Sequence, residues 1–170
     1  GVRRIRHLCS TARVGANYDH DAIGYNFRMT NVQAALGVAQ IARLDGFLER
    51  KRAIRDRYAA FADGHPDLAA FPVPRAGLST HWFSGFWYTG RDLDRCDAFR
   101  DHMRAAGIDL RPFWKPIHLQ APYRQAESSA MPVTDGLWQR IFPLPCSTHL
   151  CETDLDHVVE TAERFWIAQE

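Results

Sequence analysis

Lysine is almost missing from this chain. Of its 21 basic residues only Lys51 and Lys115 are lysines, so chemistry that passes through an amine–carbonyl adduct has two candidate side chains. Neither sign of charge prevails. Against the 21 basic residues stand 20 acidic ones, for a formal net charge of +1, which implies no bulk attraction to nucleic acid or to a membrane surface. No apolar run approaches the ~20 residues that a bilayer-spanning helix needs. The four cysteines, Cys9, Cys96, Cys146 and Cys151, form no CxxC pair and no regular framework. That argues against a disulfide scaffold and for a reducing, cytoplasmic setting. Cys146, His149, Cys151 and His157 can be drawn as a zinc site, but their spacing fits no strong ligand pattern. The alternative there is a loop with partly buried thiols. Internal repeats and low-complexity tracts are absent as well.

What is present suits one globular domain, with or without an appendage: 170 residues, 46% hydrophobic and 24% charged. The chain is organised around residues 23–36, Ile-Gly-Tyr-Asn-Phe-Arg-Met-Thr-Asn-Val-Gln-Ala-Ala-Leu. Thr30 followed by Gln33 is a capping-box pattern, in which the hydroxyl accepts from the Gln33 backbone N–H and the Gln33 side chain reaches back. A helix N-terminus offers free N–H groups and partial positive charge, which suits phosphate and other anions. Just ahead of it, Asn26 adds an amide donor and Arg28 a permanently charged planar fork. The residues read as an anion-facing loop delivered by a helix; an ordinary loop before a capped helix is the alternative.

Residues 1–22 carry a basic patch, Arg3, Arg4, Arg6 and Arg13, and a polar, turn-rich stretch over residues 14–21. They have little core-forming power, and the chain opens on Gly1 rather than Met. The expectation is a piece of something larger. From Thr30 the apolar positions Val32, Leu36, Leu44, Phe47, Leu48, Ile54, Tyr58 and Phe61 predict one long helix over residues 30–61, with Gly46 as a candidate bend. The basic run at 50–57 raises a nucleic-acid reading. Asp45, Glu49 and Asp56 interrupt it at helical spacing, which favours a solvated face. The exposed apolar surface of residues 32–47 predicts association, as a dimer or with a partner chain.

Residues 62–79, rich in Pro, Gly and Ala, read as a connection with a short extended piece at 68–73. The aromatic run 80–89 predicts an inner strand, covered on both sides or lining a pocket on one. Asp92 or Asp94 caps the next helix, whose apolar face is Leu93, Cys96, Phe99, Met103 and Ala106, and Gly107 ends it. Residues 108–111 alternate like a short strand, so 80–111 reads as strand–helix–strand, with a crossover long enough for parallel pairing.

The loop 111–123, Arg-Pro-Phe-Trp-Lys-Pro-Ile-His-Leu-Gln-Ala-Pro-Tyr, is stiffened by three prolines. Its indole, ammonium and imidazole suit a sugar or nucleotide: Trp114 for stacking, Lys115 for phosphate, His118 for hydrogen bonding. A surface loop with an ordinary histidine is the alternative. A short helix at 134–140 and a strand at 141–145 follow. Thr153 with Asp156 is expected to cap a last helix buried along Leu155, Val158, Val159, Ala162 and Phe165.

The segment GYNFRMTNVQAALGVAQIARLD resembles the Gly-Tyr-Asn-aromatic-Arg segment of the DegT/DnrJ/EryC1/StrS sugar aminotransferases, and RPFWKPIHLQAPY is similar to their Arg-Pro-x-x-x-Pro-x-His loop. The likeness covers nearly the whole chain in order. It implies a pyridoxal 5'-phosphate enzyme that moves an amino group from glutamate to a nucleotide-linked keto-deoxysugar. Asn26 and Arg28 would serve the cofactor phosphate of a neighbouring subunit, and Trp114, Lys115 and His118 would lie near the substrate. The fold implied is α+β, the small-domain part of a fold-type I transferase with a mixed sheet. Residues 1–29 would be the tail of the large domain, a loop arm, 30–61 a linking helix and 62–170 the small domain. In that family the Schiff-base lysine, the acidic partner of the pyridinium nitrogen and most phosphate ligands lie upstream. Neither Lys51 nor Lys115 stands in the lysine's context, so this stretch alone is expected not to transaminate. A non-catalytic domain that assembles with a separate cofactor-binding chain is the alternative.

Overall fold

The computed structural model describes residues 1–15, 19–74 and 76–167. It divides into two compact units, Gly1–Leu44 and Asp45–Glu170.

The arm expected as loop over 1–29 holds a helix: in the first unit α1 (Val2–Cys9) runs into a turn made by Thr11 and Ala12, both with left-handed backbone, φ 63° and 53°. Strands β1 (Arg13–Val14) and β2 (Asp19–His20) pair antiparallel; residues 16–18 of the expected turn fall outside the described residues. The motif loop then lies along residues 8–11. Tyr25 N donates to Leu8 O at 2.7 Å, Phe27 N to Cys9 O at 3.0 Å and Thr11 N to Tyr25 O at 3.1 Å. The two strands of backbone come so close that a Cβ on Gly24 would sit 2.3 Å from the Thr11 carbonyl carbon. Glycine is required there by space. Helix α2 (Asn31–Ile41) starts on the expected capping box: Gln33 N donates to Thr30 Oγ1 at 3.3 Å, and Thr30 N to Gln33 Oε1 at 2.9 Å.

The single helix expected over 30–61 is two. After α2 the hydrogen bonds tighten, with Arg43 N donating to Gln40 O at 3.0 Å, an i→i−3 step of 3₁₀ type. Helix α3 (Leu44–Asp63) then begins afresh. Gly46 sits inside α3 and does not interrupt it.

The second unit is built on a three-stranded sheet in the order β3 (Leu68–Ala70), β4 (Ser84–Tyr88), β5 (Ile141–Leu144), with β4 central. Both pairings are antiparallel, Trp87 facing Ala69 on one side and Ile141 on the other. The α+β class holds, but the sheet is antiparallel where a mixed one was expected. The reason lies at 108–111. Helix α4 (Leu93–Ala105) is capped by Asp92, whose carboxylate accepts from Asp94 N and Arg95 N. It ends at Gly107 with φ 80°, a left-handed C-terminal position that glycine adopts without penalty. Leu110 N then turns back onto Ile108 O at 2.9 Å, so the backbone is satisfied locally and does not join the sheet.

One sheet face carries Leu68, Phe86, Tyr88, Phe142 and Leu144 into a core shared with Ile54 and Tyr58 of α3, Phe99 and Met103 of α4, and Leu155, Val158, Phe165 and Trp166 of α6 (Glu152–Ile167). α5 (Pro132–Leu137) and a 3₁₀ turn, Trp138–Arg140, lead into β5. α6 starts one residue before Thr153, so the expected cap lies within its first turn, and Cys151 O takes the bond from Leu155 N at 3.0 Å.

Candidate functional site

The sequence-predicted residues fall in both units, and each group is built by its own local chemistry. In the first unit Asn26 and Arg28 line an open groove of about 520 Å³ with Ser10, Thr11, Arg13 and Gly15. The alignment follows from the backbone: Asn26 bridges Ser10 in antiparallel register, so the two segments present their polar side chains together. The left-handed turn at Thr11 and Ala12 carries the chain away and buries Ala12 completely. The Ser10 and Thr11 hydroxyls already donate to Arg6 O at 2.8 Å and Ser10 O at 2.6 Å, so the guanidinium and amide groups on this exposed concavity are the donor set fit for a phosphate. Ser10 and Thr11 were not singled out from the sequence, and Arg13 was read only as part of a basic patch, since nothing in their spacing announces that residues 8–11 pair with 25–27.

The same unit holds two histidine contacts. His7 Nε2 lies 2.5 Å from Asp21 Oδ1, and His20 Nδ1 2.7 Å from Thr11 O. The hydrogen bond from His7 holds the Asp21 carboxyl below its ordinary range, aided by the nearby charges of His7 and Arg4. Around the motif the apolar side chains Ile23, Phe27, Met29, Val32, Leu36, Val38 and Ile41 are exposed.

In the second unit the stiff loop separates its three candidates. His118 lies in the 3₁₀ turn Ile117–Leu119, and its Nε2 is 2.6 Å from Asp135 Oδ1 of α5. With Nε2–H donating to the carboxylate, Nδ1 of the neutral ring is left as an acceptor. His118 lines a groove of about 550 Å³ with Ile117, Tyr123, Glu127, Ser128 and Thr134. Asp135 is 17 residues away in sequence and carried no signal of its own. Trp114 lies outside that lining. Its ring, 62% exposed, packs edge-on to Phe83 at 5.2 Å and lies 6.1 Å from Trp82. Lys115 is exposed, and its carbonyl accepts from Gln120 Nε2 at 3.2 Å. The face of β4 opposite the core lines a third, apolar groove of about 590 Å³, where Trp87 meets Phe71, Phe113, Leu137 and Ile141. The aromatic strand thus has one side in the core and the other on a pocket.

The remaining motifs are absorbed by packing. On α3, Arg50 bonds Glu152 and Leu150 O, Arg57 pairs with Asp156 at 2.6 Å, and Lys51 Nζ donates to Trp82 O at 3.0 Å. The cysteine–histidine run does not converge: Cys146 faces Lys51, Cys151 faces Asp154, and His157 lies against Ala106 O. Among the described residues no group of three His, Cys, Asp or Glu is placed to hold a metal, and no helix is long and apolar enough to cross a membrane.

Comparison with known proteins agrees with these elements. The chain is 30% identical over 158 residues to the GDP-perosamine synthase of Vibrio cholerae, covering 89% of this chain and 41% of that protein. It is 29% identical over 154 residues to the dTDP-3-amino-3,4,6-trideoxy-alpha-D-glucose transaminase of Streptomyces venezuelae, covering 86% and 39%. It thus spans about two fifths of the length of these relatives. Among solved structures, the aminotransferase TlmJ from Streptoalloteichus hindustanus superposes with a TM-score of 0.84 at 22% identity, over 98% of this chain and 45% of that one. A DegT DnrJ EryC1 StrS aminotransferase from Brucella abortus gives 0.76 at 25% identity, over 95% and 42%. The match to the family itself runs over residues 2–163, and the chain belongs to the DegT/DnrJ/EryC1/StrS aminotransferase family.

Proposed function

We propose that this chain is the C-terminal part of a pyridoxal 5'-phosphate-dependent aminotransferase that transfers an amino group from glutamate to a nucleotide-linked 4-keto or 3-keto deoxysugar. The observation that carries the reading is the groove of Ser10, Thr11, Arg13, Asn26 and Arg28. It brings the fixed charge of guanidinium groups and the amide donor of Asn26 to one open surface, a set suited to the cofactor's phosphate. The bound cofactor supplies the electron-withdrawing ring that carries the amino group between donor and ketone. The chain's own residues bind and orient. Arg28 gives permanent charge and Asn26 a directional amide. Trp114 offers an exposed indole to the substrate, Lys115 a cation for its phosphates, and His118, steadied by Asp135, a hydrogen-bonding ring nitrogen. The Schiff-base lysine belongs to polypeptide upstream of these residues or to a partner. The exposed apolar side chains of residues 23–41 support assembly as a homodimer or with that partner. Residues 1–29 then act as the tail of the cofactor domain and the second unit as the small domain.

The test compares pyridoxal 5'-phosphate with pyridoxal, which lacks the phosphate, on the assembled protein that includes the lysine-bearing domain. Asn26→Ala and Arg28→Ala are expected to weaken the phosphorylated form by about tenfold, the worth of one charge-assisted hydrogen bond, and to leave pyridoxal unaffected. Equal loss for both compounds, or no loss for either, overturns the assignment.

A further inference from the structure

Cys146 leaves β5 directly behind Pro145, and its Sγ points at α3. It lies 3.6 Å from Lys51 Nζ and 3.3 Å from the carbonyl of Trp82, which also accepts from Lys51 at 3.0 Å. Thiol and ammonium thus converge on one acceptor. The backbone is pinned just before the thiol, because Tyr58 OH donates to Pro145 O at 2.6 Å. Cys146 is half-buried, between the closed Cys96 and the open Cys151, which leaves it partly open to a small solute.

The other three thiols have different neighbours. Cys96 is fully buried, bonds to Asp92 O, and burial pushes its thiol up. Cys151 is exposed, but its Sγ is 2.9 Å from Asp154 Oδ2, a carboxylate that would repel an anionic product. Cys9 is the last residue of α1, where the helix end carries partial negative charge. Cys146 is the thiol to which the structure gives an ammonium.

We infer that Cys146 is a peroxide-reactive modification site whose sulfenate is held by Lys51. The sulfur lone pair attacks one peroxide oxygen, an S–O bond forms and the O–O bond breaks. The departing hydroxide takes the thiol proton and leaves as water. Sulfur loses two electrons, which reduce the peroxide, and the sulfenic acid then yields its proton to solvent. An oxygen on Sγ, bent off the S–N line, comes within about 2.8 Å of an ammonium held at the observed separation. Lys51 then turns from Trp82 O to the new anion. Trp82 packs on Phe83 at 4.6 Å and Phe83 on Trp114 at 5.2 Å, so the oxidation is felt in the aromatic cluster beside the stiff loop.

The experiment treats the chain with hydrogen peroxide, traps sulfenate with a cyclic 1,3-dione and quantifies the label on all four cysteines by peptide mass spectrometry. Cys146 is expected to carry roughly tenfold more label than any other cysteine. Lys51→Gln should remove most of that preference and Lys51→Arg should keep it, with tryptophan fluorescence shifting on oxidation of the parent chain. Dominant labelling of Cys9 or Cys151, or a Lys51→Gln chain labelled at Cys146 like its parent, overturns the inference. The ranking of the four thiols in the parent chain needs no variant to fold.

Discussion

The hydroxyl of Tyr58 on α3 donates to the carbonyl of Pro145 at 2.6 Å, and the whole Tyr58 residue is shut off from solvent. The bond ties the long helix to the exit of β5. Arg50, Lys51 and Arg57, all ahead of Tyr58 on the helix, make further ties to Cys146, Leu150, Glu152 and Asp156 beyond Pro145. Tyr58→Phe leaves a half-buried carbonyl without its donor and is expected to cost about 1–2 kcal/mol, read as a lower midpoint in urea. The same burial pushes the phenol well above its ordinary 10.0. The unfolded chain therefore releases the proton first. Stability from this group is fully present below pH 10, and it falls as the pH rises through 10 toward the folded value. Tyr58→Phe should flatten that alkaline decline, a difference visible in denaturation series from pH 8 to 11.

Phe99 is the hub of the aromatic core. Its ring lies 4.8 Å from Phe142, 5.2 Å from Phe165, 5.4 Å from Trp166 and 5.8 Å from Phe86. Phe99→Ala is expected to destabilise the second unit by about 3–5 kcal/mol through lost burial and the cavity left behind. Phe99→Leu should cost clearly less. Thermal unfolding of the two variants side by side checks the order.

Much of this was legible because it is local. Phe99 stands on a stripe with Cys96 and Met103 that the helical period reveals, and Thr30 and Gln33 announce a helix start three residues apart. The break between α2 and α3 was not legible, because neither proline nor glycine stands at residues 42–43. The missing fourth strand was hidden for a similar reason. Ile108 and Leu110 alternate with polar neighbours as a strand would, yet a two-residue hydrogen bond decides their conformation. In the candidate site Asn26, Arg28 and His118 could be named from residue type and neighbourhood. Ser10, Thr11 and Asp135 could not, since their part depends on pairings across 16 or so residues that composition does not encode.

The reciprocal cap on α2 should be measurable by itself. Thr30→Ala removes the acceptor for Gln33 N and is expected to cost about 1 kcal/mol of helix stability, while Thr30→Ser should restore nearly all of it. Faster amide exchange at Val32 and Gln33, confined to the first turn, is the expected signature.

The contact between His7 and Asp21 predicts an acid sensitivity. A carboxyl held below its ordinary 3.8 by a folded-state partner stabilises the fold above that value and loses the contribution as pH falls through the lowered one. The carbon chemical shift of the Asp21 carboxyl should titrate with a midpoint below 3.8. His7→Ala should bring it back toward the ordinary value and leave the second unit's unfolding unchanged.

Gly24 offers the sharpest test of how the groove of Asn26 and Arg28 is built. A Cβ there would meet the backbone of Thr11 and Ala12 at 2.3–2.7 Å, and backbone cannot rotate away as a flexible side chain can. Gly24→Ala must therefore part the segments that Tyr25 and Phe27 join to residues 8 and 9. A cost of about 1–3 kcal/mol is expected from the forced separation, carried by the first unit alone. Amide exchange should accelerate at Thr11, Tyr25 and Phe27 together while the amides of β4 keep their protection. Since Ser10 and Asn26 meet only through this pairing, Gly24→Ala should also weaken pyridoxal 5'-phosphate in the assembled protein as strongly as Asn26→Ala does, although residue 24 contributes no side chain to the groove.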